Sequence, residues 1–554
     1  MVYTKIVSSL EKCFLDSRIE DFEAFEGFSM LKNERLSFQL LYYADLDSPN
    51  HDTKMKVTFE GSLAPYVKAR TVGLVPVTMP CYTPVAPDDN YLRDVPGLYP
   101  DVLVPMHYHG TITAQRGQTR SLWIDLEPGE NLPAGDHTLT LILTNEEKGI
   151  HIKESFTAHI IDATLPKSEL IFTEWFHCDC LANYYACEPW SEKHWSVIEA
   201  FARTAVKNGI NLLLTPVHTP PLDTEIGGER RTVQLVDVVL ENGEYSFGFD
   251  RLDRWIDMCD RVGIRYFEVA HFFTQWGALH APKIMATVDG KYQKIFGWET
   301  EATGEDYKKY LRAFIPAFLA HMKDRGRDKD CFFHISDEPN REQLDSYRAA
   351  KQVVAPLLKG YVIMDALSNF EYWKEGIVET PIPANNHIEP FIESKVPGLW
   401  TYYCCSQYKD VSNRFIAMPL WRTRSIGVQF YKYDIAGFLH WGYNHYNNLY
   451  SIDTIDPYLE QSGEFWVPAG DTHSVYPAQD GTALESIRIL AFTDALQDLS
   501  AMKLAASVCG KDALVARLEE IFGREIRFDE CAKNAKTILA MRKAVNQIIQ
   551  DAFQ

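Results

Sequence analysis

The 554-residue chain reads as an α/β protein: a (β/α)8 TIM-type barrel preceded by an N-terminal antiparallel β-sandwich, with a C-terminal helical segment. Three observations predict this. From about Lys32 to Ala163 apolar and polar residues alternate, the period-two signature of half-buried strands. After Thr164-Leu-Pro166 strand-like runs alternate with helical ones. In the tail only the helical period remains. The expected units are a sandwich over 1–165, a barrel over 166–480 and a helical segment over 481–554 packed on the barrel.

In the first unit Leu36, Phe38 and Leu40 alternate with polar neighbours, as do Leu139, Leu141 and Leu143. Glu127-Pro-Gly-Glu130 and Pro133-Ala-Gly-Asp136 supply turns between strands. Pro96 to Pro105 reads as a proline-bounded loop.

The second unit offers eight strands: 170–176, 211–215, 265–271, 331–338, 361–365, 380–384, 398–404 and 435–441. That number fits a (β/α)8 barrel. Between the first two lies a helix with Trp195, Ile198, Phe201, Ala202 and Ala205 on one face, closed by Asn208-Gly209. A hairpin turn at Glu241-Asn-Gly-Glu244 precedes a helix with Leu252, Trp255, Ile256, Cys259 and Val262 in line. The third helix is expected from a Thr303-x-x-Asp306 box to Gly326, kinked or divided at Pro316. The sixth strand carries Pro381 and Pro383, which a central strand resists. The helix before the last strand should start near Asn413. In the tail Ile487, Leu490, Leu496 and Leu499, then Ile538, Met541, Val545 and Ile548, recur at helical spacing and should cover the barrel.

A net charge of -21 opposes a nucleic-acid partner, because phosphate binding needs a basic face. No stretch reaches the roughly 18 apolar residues of a membrane span, and Met1 to Phe14 lacks the apolar core of a leader, so a cytoplasmic protein is expected. Eleven cysteines without metal-finger spacing suit reduced thiols; Cys178, Cys180, Cys404 and Cys405 read better as small buried groups than as ligands.

The chemistry concentrates in Cys331 to Asn340, where an apolar run ends in adjacent acids, Asp337 and Glu338, and Pro339 follows. In a parallel barrel the C-terminal strand ends carry the active site. A competing reading makes the pair a cap for the next helix. As catalysts, two carboxylates at a barrel mouth suit glycosidic hydrolysis. A double-displacement pair must flank the sugar at about 5 Å, and sequence neighbours approach from one wall. The attacking atom must then come from elsewhere, most economically the carbonyl oxygen of a substrate 2-acetamido group, through an oxazolinium ion. Glu338 would be general acid/base and Asp337 would hold and stabilise the acetamido N–H. His177, His271, Asp365, Asn386, Tyr402, Trp441 and Asn444 fall in or just past strand ends and are the candidate substrate-binding residues. Tyr402 would donate to the acetamido carbonyl and Trp441 would stack under the ring.

Several motifs share one order. His334-Ile-Ser-Asp-Glu-Pro339, Trp175-Phe-His177, Leu399-Trp-Thr-Tyr-Tyr-Cys-Cys405, Gly437-Phe-Leu-His-Trp441 with Asn444, and Leu98-Tyr-Pro-Asp-Val-Leu-Val-Pro105 together resemble glycoside hydrolase family 123 and its relatives. The similarity runs from Asn33-Glu-Arg-Leu-Ser-Phe-Gln-Leu40 to about Leu499. It implies a β-sandwich before a catalytic barrel, and retaining β-N-acetylgalactosaminidase activity by substrate-assisted catalysis, with the family's adjacent acids at Asp337 and Glu338. It implies a carbohydrate substrate, a glycan or glycolipid-derived oligosaccharide, and no cofactor. His440 departs from the family, whose members often have arginine there, and the tail after Ala505 is unmatched.

Two rivals stand beside this reading. A metal-dependent hydrolase would use His177, Asp179, His218 and His271, though no His-Glu-x-x-His spacing supports it. A non-catalytic carbohydrate-binding protein would keep the fold without needing the acid pair.

Overall fold

The computed structural model describes residues 1–48, 51–83, 85, 87–106 and 110–553. Ten strands build the N-terminal region: β1 Val2–Ser8, β2 Gly27–Lys32, β3 Leu36–Ala44, β4 Asp52–Glu60, β5 Val67–Val77, β6 Gly97–Pro105, β7 Thr111–Gln115, β8 Thr119–Leu126, β9 Gly135–Asn145 and β10 Ile150–Thr164. They form two five-stranded sheets, ordered β1-β3-β8-β5-β6 and β2-β10-β9-β4-β7, antiparallel except where β2 lies parallel on β10. The predicted alternation places Phe38, Leu40, Leu139, Leu141 and Leu143 in one core between them. Phe38 of the first sheet stacks on Phe156 of the second, centroids 4.2 Å apart.

The other face of the first sheet is also buried, and there polar residues are paired rather than solvated. Asp125 accepts from Ser37 Oγ (2.7 Å) and Trp123 Nε1 (2.8 Å) and pairs with Arg70, which reaches on to Glu485. Such charges are tolerated in the interior only because each has a partner.

Two expectations change here. The strand pattern begins at Val2, not near Lys32, and Pro96 to Pro105 is not a loop. Gly97–Pro105 is the edge strand β6, where Pro100 and Pro105 do not interrupt an inner ladder. Its Asp101 accepts two hydrogen bonds from Arg488, at 2.7 and 2.9 Å, and one from the Tyr476 hydroxyl at 2.5 Å. That motif clamps the N-terminal sheet to the last third of the chain.

The following strands are β11 Ile171–Glu174, β12 Leu212–Thr215, β13 Asp237–Glu241, β14 Glu244–Gly248, β15 Tyr266–Val269, β16 Ile284–Val288, β17 Lys291–Phe296, β18 Cys331–Phe333, β19 Val362–Ala366, β20 Thr380–Ile382, β21 Trp400–Tyr402 and β22 Gly437–His440. All eight strands expected from the sequence are present. They lie in two parallel sheets, β11-β22-β21 and β12-β15-β18-β19-β20, with helices between successive strands. Asn211 links β11 to the start of β12: its backbone N–H donates to Phe172 O at 3.1 Å and its side chain accepts from Phe172 N at 2.9 Å. An isolated parallel bridge, Ala384 to Tyr402, joins the β20 side to β21. The Asn242-Gly243 turn closes the β13-β14 hairpin with both residues at positive φ, 51° and 80°, as a type I′ turn requires. β13 to β17, without β15, form a separate four-stranded sheet inserted beside these strands.

Three local expectations are corrected. The third helix starts at Glu305 behind Gly304, with no side-chain cap from Thr303, and runs unbroken through Pro316 to Asp324. The strand before the acids stops at Phe333. The helix preceding β22 begins at Leu420, because Asn413 is committed elsewhere: its Nδ2 donates to the carbonyls of Cys404 and Gln407.

Helices Ile487–Cys509, Lys511–Phe522 and Ala535–Phe553 form the tail. Ile487, Leu490, Leu496, Leu499, Ile538, Met541 and Val545 join the large core, with Ile548 against its edge. The tail also grips the N-terminal sheets, which the sequence did not foretell: Arg542 joins Glu34 to Asp498, Arg35 pairs with Asp494, and Asn546 donates to Ser29. Among the described residues no helix is long and apolar enough to cross a membrane.

Candidate active site

The ends of β11, β18, β21 and β22 open onto one cleft. Trp175, His177, Asp337, Glu338, Tyr402 and Trp441 line it, together with Leu222, Asp223, Gln275, Trp276, Ala366, Cys404, Cys405, Leu439 and Trp466. Both acids face the same space.

The capping reading of the pair does not survive. Asn340 is the N-cap of the turn that follows, accepting from the backbone N–H groups of Glu342 and Gln343, while the Gln343 side chain returns to the Asn340 N–H. Asp337 and Glu338 are therefore free of that duty. Glu338 is held at φ 43°, in the left-handed region that a β-substituted residue avoids, and such strain gathers at functional sites. Its N–H donates to Ala366 O (3.1 Å), and the Asp337 carbonyl accepts from Trp276 N (3.2 Å). Trp276, Gly277 and Ala278 are themselves left-handed, at φ 58°, 120° and 53°, and Gln343 Nε2 fastens this loop by donating to Trp276 O at 2.6 Å.

The two carboxyls have different surroundings. Asp337 is 8% exposed and accepts from Gln275 Nε2 at 3.2 Å. Burial, then the Glu338 charge, push its pKa well above the ordinary carboxylate value. Glu338 opens to solvent within the cleft, and Tyr402 donates its hydroxyl to Oε1 at 2.5 Å. Desolvation by the cleft walls raises Glu338, and the Tyr402 hydrogen bond opposes the rise. Tyr402 thus lines the cleft with its hydroxyl on the acid.

Beneath the acids lies a buried ionic layer. His334 bridges Glu268 (2.8 Å, Nε2) and Asp365 (3.1 Å, Nδ1), all three fully buried. Hydrogen bonds to the two carboxylates outweigh burial and raise the imidazole to about 9, so it is a cation near neutral pH. Asp365 also accepts from Ile335 N and the Tyr347 hydroxyl, and Glu268 from Thr173 Oγ1 and Trp175 Nε1. His271 stacks on His334 at 4.2 Å, and burial holds it neutral. Asp365 and His271, expected as substrate contacts, do not line the cleft; they are packed below it.

His177 lines the cleft, but both ring nitrogens are engaged: Nδ1 accepts from Arg230 (3.1 Å) and Nε2 meets Trp441 O (2.9 Å). Asn444 also leaves the contact list, because it is buried and clamps the His177 backbone, accepting from its N–H and donating to its carbonyl. Asn386 is exposed away from the cleft lining, accepting from Gln407. Trp441 lines the cleft. Its Nε1 donates to Asp471 at 2.8 Å, and its ring meets Trp466 at 5.2 Å and His445 at 5.0 Å.

The metal constellation does not assemble. Asp179 accepts two 2.8 Å hydrogen bonds from Arg230, His177 is tied to the same guanidinium, and His218 is bonded to the His271 carbonyl. Among the described residues the one grouping with ligand-like spacing is His271, His334 and Asp365, whose central imidazole already has both nitrogens on carboxylates. At His440 a guanidinium still arrives, from Arg414, which donates to Nδ1 at 2.7 Å.

Sequence reasoning missed Asp223, Gln275, Trp276 and Trp466. All sit in loops beyond strand ends, and the usable signal was that position alone.

Comparison with known proteins completes the description. The model of the glycoside hydrolase 123 catalytic domain matches residues 175–505. A family 123 glycoside hydrolase from Clostridium perfringens, whose structure was analysed for glycolipid glycan hydrolysis, superposes with a TM-score of 0.75 at 13% identity, covering 100% of this chain and 98% of that one. At that identity the likeness speaks for fold. β-Glucuronidases from Parabacteroides merdae and Bacteroides uniformis, each 9% identical, give TM-scores of 0.31 and 0.30, covering 90% and 84% of this chain and 51% and 50% of theirs. No curated protein sequence matches.

Proposed function

The chain belongs to the glycoside hydrolase 123 family, and from that premise we propose that it is a retaining hydrolase of terminal β-linked N-acetylgalactosamine whose nucleophile is the substrate's own acetamido oxygen. The observation that carries this reading is the placing of two adjacent carboxyls on one wall of one cleft, in unlike environments. Acids that cannot flank a sugar suit a mechanism in which the enzyme supplies no nucleophile.

Glu338, open to the cleft, protonates the leaving oxygen and afterwards deprotonates the water that opens the oxazolinium ring. Asp337 accepts the acetamido N–H and balances charge as the ring closes. Crowding of the two acids disfavours double ionisation, so the pair retains one proton; it rests on Asp337 in the free enzyme, and the acetamido N–H, by favouring ionised Asp337, shifts it to Glu338 when substrate binds. Trp441 and Trp466 supply apolar faces for the pyranose, and Trp175 further apolar wall. We read the two parallel sheets as one (β/α)8 barrel closed at Asn211 and at the Ala384–Tyr402 bridge, with the sandwich over 1–165 and the helical tail over 481–554 as its supports.

The deciding experiment compares aryl β-glycosides of N-acetylgalactosamine and galactose and follows the first-formed anomer by NMR. Retention with turnover of the acetamido sugar alone is expected; equal turnover of galactoside overturns internal attack.

A further inference from the structure

The acid pair occupies one wall of the cleft, and a third carboxyl stands elsewhere in the lining. Asp223, in the loop after β12, is 7% exposed and shares the cleft with Trp441 and Trp466. Its possible donors are all distant: Tyr450 N at 3.3 Å, Ser451 Oγ at 3.5 Å and His445 Nε2 at 3.4 Å. Each lies at the long edge of hydrogen-bond geometry. The nearby Arg230 charge partly offsets the burial of Asp223 but makes no hydrogen bond to it, because its N–H groups go to Asp179, His177 and Leu222 O. His445 is kept neutral by burial. Burial also lifts Asp223 itself to about 6, the mark of a carboxyl short of good donors.

The backbone is strained to keep it there. Asp223, Tyr450 and Ser451 all have positive φ, at 41°, 61° and 55°. A nearly buried carboxylate whose acceptor sites are poorly filled is costly unless something else fills them. Beside two indole rings, the complementary ligand is a pyranose, which offers C–H groups to the rings and hydroxyl donors to the acid.

Where the sugar's hydroxyls fall follows from the reaction proposed above, on which this inference rests. The anomeric carbon and the 2-acetamido group must meet Asp337 and Glu338, in the segment after β18. Asp223 comes from the loop after β12 and touches the segment after β22. Hydroxyls 4 and 6 lie at the ring end away from the scissile bond, and two oxygens of one carboxylate can accept both. We propose that Asp223 is a substrate-binding and specificity-determining residue that accepts hydrogen bonds from the 4- and 6-hydroxyls of the terminal sugar.

The test is a cycle of kcat/KM values for wild type and Asp223→Asn on an aryl N-acetyl-β-galactosaminide and its 3-, 4- and 6-deoxy analogues. Asparagine keeps an oxygen for Tyr450 N–H, so the turn should persist, with a melting temperature within about 2 °C of wild type. In wild type, removing the 4- or 6-hydroxyl is expected to cost about 30-fold or more, and in the variant about 3-fold or less, since the charged acceptor is gone. A variant that loses the same factor on every sugar, or whose coupling falls on the 3-hydroxyl, overturns the proposal. So does a wild-type enzyme indifferent to the 4- and 6-deoxy analogues, a result that needs no variant. If the wild type instead prefers the 2-hydroxy sugar, internal attack falls, and the same cycle on that sugar and its deoxy analogues still decides for or against Asp223.

Discussion

Tyr402, at the end of β21, donates its hydroxyl to Oε1 of Glu338 at 2.5 Å, so two residues 64 positions apart fix one carboxyl oxygen in the cleft. This bond favours the ionised acid, and burial opposes it. In Tyr402→Phe the opposing influence is lost and Glu338 rises further. A general acid must be protonated, so activity falls as pH climbs through its pKa; the alkaline limb of kcat/KM should therefore move to higher pH. Turnover at the optimum should fall by about 10- to 100-fold, the worth of a charged hydrogen bond. An alkaline limb that stays in place would show that Glu338 is not the group being titrated.

The division of labour between the acids can be read from leaving groups. Glu338→Gln should lose about 10²- to 10⁴-fold on a poor leaving group, the usual contribution of general acid catalysis. With a dinitrophenyl aglycone, which departs unprotonated, most of that loss should vanish from the glycosylation step. Asp337→Asn should be impaired with both, because the acetamido group needs its acceptor whatever leaves. Burst and steady-state rates on the two substrates check this, and identical leaving-group behaviour in the two variants would reverse or erase the assignment.

Depth, more than identity, separated what the sequence disclosed from what it concealed. Asp337, Glu338, Tyr402 and Trp441 were legible because apolar strands end beside them and a parallel barrel puts chemistry at such ends. Asp365 and Asn444 satisfy the same rule, yet point into support: one anchors His334 and the other clamps the His177 backbone. Strand position cannot distinguish a residue that lines a cleft from one lying a layer beneath it. Pro96 to Pro105 misled for a related reason, since proline bars a strand only where its missing N–H is needed, and β6 is an edge. Asp223 and Trp466 were invisible because loop paths depend on partners far away in sequence.

His334 should make stability fall with rising pH. Its folded value of about 9 lies above the ordinary 6.5, so the folded state binds the proton more tightly than the unfolded chain does. That contribution is complete below about 6.5, declines through about 9 and amounts to an order of 3 kcal/mol. The melting temperature should decline across this window. In His334→Gln the decline should flatten, on top of a uniform destabilisation of about 3–5 kcal/mol from leaving Glu268 and Asp365 without their cation. An unchanged pH slope in the variant would mean that another group titrates.

Arg230 separates the metal reading from the glycosidase reading. It neutralises Asp179 and donates to His177 Nδ1, which leaves the other imidazole nitrogen to donate to Trp441 O and so tie Trp441 to the first strand's loop. Treatment with a chelator should leave kcat and KM unchanged. Arg230→Met should instead strand a buried carboxylate, lowering stability by about 3–5 kcal/mol, and free His177 to change tautomer. If this ring orders Trp441, the surviving enzyme should show a raised KM out of proportion to any fall in kcat, because the loss is of sugar binding and not of acid catalysis. Activity abolished by chelator and restored by zinc would sink this account, since the residues that would hold the ion are the ones found bound to the guanidinium.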